Sequence, residues 1–168
     1  MGTFTLFHRL RAIITLSVLW LLVTTPACAF VFMDGRNIDI ESLTNQGRWT
    51  VMEVWSADCS VCHRTIGELQ EFARRVPAAS VYGVSVNAPD MVRAQAFIDT
   101  YRLAFPNLIG TFDEMDDYLK ARAGVALRGT PTLLVYNRHG KLVAIQHGAV
   151  SAAQLADFIN RQDKKARH

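Results

Sequence analysis

The chain has 168 residues, half of them hydrophobic and a fifth charged, with a formal net charge of +3. Residues 1–29 hold Arg9 and Arg11 and no acidic residue, so 16 basic and 15 acidic side chains remain beyond them. That balance excludes the basic footprint of a nucleic-acid binder, and the composition excludes a disordered chain, leaving one globular domain behind a leader.

Residues 1–29 read as an export signal. His8, Arg9 and Arg11 give a basic start, and Ala12 to Val23 is an uncharged run of signal length, short for a membrane span. Pro26 breaks any helix, and Ala27-Cys28-Ala29 matches the small-x-small pattern with a cut after Ala29. Phe30-Val31-Phe32-Met33 prolongs the apolar character, so the alternative is an uncleaved membrane anchor over residues 12–33. Cys28 also suggests a lipoprotein, although the usual preceding Leu is missing. Each reading delivers residues 30–168 to an oxidising compartment, a bacterial periplasm. Cleavage would leave two cysteines, three apart.

Residues 34–47 are polar and turn-rich and read as an entry strand or loop. Arg48 to Trp55 is a buried strand. Ser60 to Val76 has helical periodicity, with Val61, Ile66, Leu69, Phe72, Ala73 and Val76 in one stripe that Pro77 ends. Ser80 to Val86 is a strand. Pro89 and Asp90 open a second helix whose inner face is Met91, Ala94, Phe97, Ile98 and Tyr101, with Pro89 in the first turn. Leu108-Ile109 is a short strand, and Asp113 to Ala123 a helix stopped by Gly124. Thr132 to Asn137 and Lys141 to His147 form a hairpin. Ser151 and Gln154 make a capping box for a last helix with Leu155, Phe158 and Ile159 inside. Early βα alternation followed by a hairpin predicts a mixed sheet covered by helices.

The chemistry lies in Cys59-Ser-Val-Cys62, where a strand gives way to a helix. Unpaired N–H groups and the helix dipole there favour a thiolate, the species that attacks disulfides. A second cysteine one turn on can resolve the mixed disulfide. Cys59 is therefore the expected nucleophile and Cys62 the resolving thiol. Thr130-Pro131 opens a strand, where a proline can be cis and leave the preceding backbone free to pair with an extended substrate.

Val51-Met-Glu-Val-Trp-Ser-Ala-Asp-Cys-Ser-Val-Cys62, Arg128-Gly-Thr-Pro-Thr-Leu-Leu134 and Asn137-Arg-His-Gly-Lys141 together resemble a thioredoxin-fold protein. The long stretch between Val86 and Pro131 resembles the βα-type insertion of the exported TlpA/ResA/DsbE-like branch. The resemblance implies a three-layer α/β fold, a mixed central sheet flanked by helices, with that insertion before a cis-proline. It also implies that Cys59 and Cys62 are the redox pair, with Pro131 the cis-proline beside them. Glu53 takes the place of a buried carboxyl that relays a proton to Cys62, and a buried carboxyl has a raised pKa. Thr130, Trp55 and Pro131 are the expected substrate contacts.

Four positions depart from the family pattern. Asp58 stands where an aromatic is usual, and its charge should disfavour the Cys59 thiolate and make the pair more reducing. Thr65 and Gly67 replace a Glu and a Pro that the branch often carries. Thr130 occurs before the proline in disulfide isomerases, where cytosolic thioredoxins tend to have Ile.

The implied activity is thiol–disulfide exchange with exported cysteine-containing client proteins, as a reductant resupplied by a membrane electron-transfer protein, for example in cytochrome c biogenesis. No organic cofactor or metal is required, and a monomer suffices. Isomerase or oxidase activity is the alternative. Cys59-x-x-Cys62-His63 is also the pattern of c-type haem attachment, and two Cys beside a His can carry metal. A static disulfide is disfavoured because so short a loop constrains the unfolded chain little. His63 itself reads as a polar first-turn residue.

Overall fold

The computed structural model describes residues 30–166. The leader reading of residues 1–29 therefore lies outside the described residues. Seven strands form one sheet in the order β2-β1-β5-β4-β3-β6-β7. They are β1 (Phe30–Phe32), β2 (Asn37–Ile38), β3 (Thr50–Trp55), β4 (Ser80–Ser85), β5 (Asn107–Ile109), β6 (Thr132–Tyr136) and β7 (Leu142–His147). β3, β4 and β5 run parallel, and the other neighbours pair antiparallel. The helices are α1 (Ile40–Thr44), α2 (Ser60–Arg75), α3 (Met91–Tyr101), α4 (Phe112–Ala123) and α5 (Ala152–Lys165). The expected three-layer thioredoxin-like fold is the one observed, and α3, β5 and α4 fill the stretch before Pro131.

Period-two alternation along β3 sorts its side chains between two cores. Val51 and Trp55 enter the core shared with Ile66, Leu69 and Phe72 of α2, Phe97 of α3, and Leu155 and Ile159 of α5. Met52 and Val54 enter the opposite core, with Met115 and Leu119 of α4 and Ile40 of α1. Glu53 shares the parity of Val51 and Trp55 and so faces the α2 side. Both predicted helix boundaries are observed: Gly124 ends α4 at φ 68°, and the Ser151–Gln154 capping box opens α5.

Several expectations are corrected. The apolar Phe30–Phe32 is a sheet strand, with Phe30 buried edge-to-face on Tyr118. Met33 donates its N–H to the Asn107 carbonyl. Residues 30–33 thus belong to the folded domain, so an anchor could not extend through Met33. Among the described residues no helix is long and apolar enough to cross a membrane. The segment 34–47 contains a one-turn helix as well as β2, because Asp39 caps the Glu41 N–H. Pro89 lies ahead of α3 rather than inside it, since Asp90 is the cap, and its bond to Ala88 is cis. Met91 is exposed, on the solvent side of the first turn of α3.

Candidate active site

The chain leaves β3 at Trp55, turns through residues 56–58, and enters α2 with Cys59 as its N-cap. Cys59 and Cys62 are joined as a disulfide with their Cα atoms 5.2 Å apart. The Cys62 N–H points at Cys59 Sγ from 3.0 Å, one of the orphan donors that a helix N-terminus offers to a negative sulfur. Cys59 is half-buried, whereas Cys62 is 0% exposed. Incoming disulfides can therefore reach the first sulfur but not the second.

The Thr130–Pro131 bond is cis, and the Thr130 carbonyl oxygen lies 3.2 Å from Cys59 Sγ. A reduced Cys59 thiol can donate to that oxygen. The structure thus brings together Cys59, Cys62, Thr130 and Pro131, which are 71 residues apart at their two ends of contact.

Glu53 is 3% exposed, and its Oε1 has no hydrogen-bond partner among the described residues. Burial alone pushes its carboxyl up to about 7. Its register neighbours are Leu133 on β6 and Gly83 on β4, neither of which offers a polar side chain.

Trp55, an expected substrate contact, lies inside the core rather than at the surface. It is 0% exposed, stacks on Phe97 at 4.4 Å, and donates its indole N–H to Asn107 Oδ1 at 3.1 Å. Gly83 makes room for that bond: a Cβ there would stand 1.9 Å from Asn107 Oδ1 and 2.7 Å from Trp55 Nε1. Trp55 is a core residue beneath the turn that carries the dithiol.

The sequence reading missed the groups that hold this turn. Asn87, just after β4, accepts the Ala57 N–H at 2.7 Å and donates to Asp58 Oδ2 at 3.3 Å. Arg93 of α3 forms an ion pair with Asp58, and Asn87 adds a dipole, so the Asp58 charge is offset rather than bare. The signal for Asn87 was topological: residues that follow parallel neighbouring strands meet at the same end of the sheet. His63 is also engaged. Its Nε2 is 2.8 Å from the Ala57 carbonyl and its Nδ1 2.8 Å from the Tyr101 hydroxyl. Axial ligation of a haem would require His63 to abandon one of these bonds.

The AhpC/TSA family model matches residues 23–145. The chain is 25% identical over 129 residues to the thiol-disulfide oxidoreductase ResA of Halalkalibacterium halodurans, covering 76% of this chain and 68% of that one. It is 26% identical over 141 residues to the sporulation thiol-disulfide oxidoreductase A of Bacillus subtilis, covering 79% and 80%. Among solved structures it is similar to a secreted Mycobacterium tuberculosis disulfide oxidoreductase homologous to E. coli DsbE. The TM-score is 0.60, with 24% identity over 77% of this chain and 91% of that one.

Proposed function

The chain belongs to the AhpC/TSA family, and from that premise we propose that it is a thiol–disulfide oxidoreductase that reduces exported client proteins through Cys59 and Cys62. One observation carries the reading: two bonded sulfurs share one helix N-terminus, the first reachable and the second shielded. The Cys59 thiolate attacks a client disulfide, forms a mixed disulfide and expels one client thiolate, which takes a proton from solvent. Cys62 then loses its proton and attacks Cys59 Sγ. The second client sulfur leaves, and the client gains two electrons and two protons while this chain's dithiol becomes a disulfide.

Glu53 is the proposed acceptor of the Cys62 proton. Its parity toward α2 and its carboxyl near 7 support a group that gives and takes a proton at neutral pH. Thr130 and Pro131 form the proposed edge along which an extended client segment lies, beside the sulfur that it must meet. The dithiol itself carries the electrons, and a membrane electron-transfer protein is the proposed source that resets it. Export is supported by the secreted relative and by the leader pattern. The reductant direction rests on the resemblance to the TlpA/ResA/DsbE-like branch. Asp58, with its charge offset by Arg93, contributes less to it than the bare sequence implies.

Insulin reduction in the presence of a small dithiol tests the reading. The wild type should precipitate insulin chains, and Cys59→Ser should not. A potential for the couple well above about −150 mV would overturn the reductant direction and identify an oxidase.

A further inference from the structure

We infer that His63 is a positioning residue for the Cys59 thiolate, acting through the Ala57 carbonyl; this rests on the exchange chemistry proposed above. The turn that carries Cys59 is held from both sides of one residue. Asn87 takes the Ala57 N–H at 2.7 Å, and His63 Nε2 meets the Ala57 carbonyl oxygen at 2.8 Å. The backbone N–H of His63 also reaches the Cys59 carbonyl at 3.1 Å. His63 therefore ties two carbonyls of the turn to the first turn of α2.

The ring is itself fixed from α3. Its Nδ1 is 2.8 Å from the Tyr101 hydroxyl, and it packs T-shaped with Phe97, ring centroids 4.9 Å apart. Phe97 in turn lies flat on Trp55, the last residue of β3. The ring is thus anchored both to α3 and to the buried end of the strand that leads into the dithiol.

A carbonyl oxygen can only accept, so Nε2 must carry a hydrogen. In the neutral ring Nδ1 is then bare and accepts from the Tyr101 hydroxyl. The geometry assigns one tautomer, Nε2–H. That hydrogen matters for the sulfur in two ways. It compensates the negative end of the Ala57 carbonyl, two residues from the thiolate. It also holds the turn so that Cys59 Sγ stays on the Cys62 N–H. Loss of the Nε2–H donor should weaken both effects and lower the thiolate fraction at a given pH.

The test reads alkylation of Cys59 in the reduced protein, at a pH where the thiolate limits the rate. His63→Phe keeps a ring against Phe97 but donates nothing, and should be alkylated about fivefold more slowly. His63→Gln places an amide N–H near the position of Nε2 and should return the rate to within about twofold of wild type. Equal rates in all three proteins, or an equal fall in both variants, would overturn the inference. Nitrogen NMR of the wild-type imidazole at alkaline pH gives a second reading that needs no variant: the Nε2–H tautomer supports the role, and the Nδ1–H tautomer overturns it. Neither measurement needs turnover, so a wild type inert toward insulin would refute the oxidoreductase reading without deciding the role of His63.

Discussion

Replacing Glu53 by glutamine removes a charge that the core cannot solvate, and the effect should depend on pH with a defined sign. In the folded protein the carboxyl titrates near 7, against 4.5 for a free side chain. The folded chain therefore holds a proton that the unfolded chain releases between those values. Stability must fall as pH rises through that window and then level off. Each pKa unit corresponds to about 1.4 kcal/mol, so the wild type should lose about 3 kcal/mol from the acid to the alkaline side. Glu53→Gln has nothing to titrate there. Urea unfolding of the oxidised proteins, followed by tryptophan fluorescence at a series of pH values, measures the difference. The variant should gain about 3 kcal/mol on the wild type across the window, whatever its offset at acid pH. A difference that stays flat with pH would refute the buried, uncompensated carboxyl. If Glu53 is the acceptor proposed for the Cys62 proton, the same variant should reduce insulin at least about tenfold more slowly at neutral pH.

Other substitutions follow from the contacts. Gly83→Ala should cost about 2 kcal/mol or more by chemical unfolding, because its Cβ must displace the buried Asn107–Trp55 bond. Arg93→Ala removes the cation paired with Asp58 beside Cys59, so alkylation of the reduced protein should slow about two- to threefold at low salt and recover at high salt, with little change in stability. Ser151→Ala removes the cap of α5 and should lower stability by about 1 kcal/mol in a thermal or urea melt.

Local signals were legible in the sequence. The stripe from Ile66 to Phe72, the Gly124 stop and the Ser151 capping box depend on neighbours within one or two turns, and each is observed. The dithiol at a strand-to-helix junction was legible for the same reason. Contacts between distant segments were not. Trp55 was placed by its match to a family tryptophan four residues before the first cysteine, and the group that holds its indole inside the core, Asn107, lies 52 residues on. Asp58 looked like a bare charge because Arg93 lies 35 residues away. Phe30–Phe32 was ambiguous because it continues an apolar run of sequence, and its pairing with β2 and β5 identifies it as a strand. Glu53 is an intermediate case: its flanking residues announce a buried strand, while the unpartnered Oε1, among the described residues, reflects the register across β4 and β6.

The two sulfurs divide the work between them, one attacking and one resolving, and single-cysteine variants separate the two roles. Reduced Cys62→Ser and reduced Cys59→Ser are each mixed with an oxidised model peptide, and the products are resolved by mass spectrometry. A stable mixed disulfide should form on Cys59 in the Cys62→Ser protein, and almost none on the shielded Cys62 in the Cys59→Ser protein. Equal trapping by both variants, or trapping on Cys62 alone, would contradict that division.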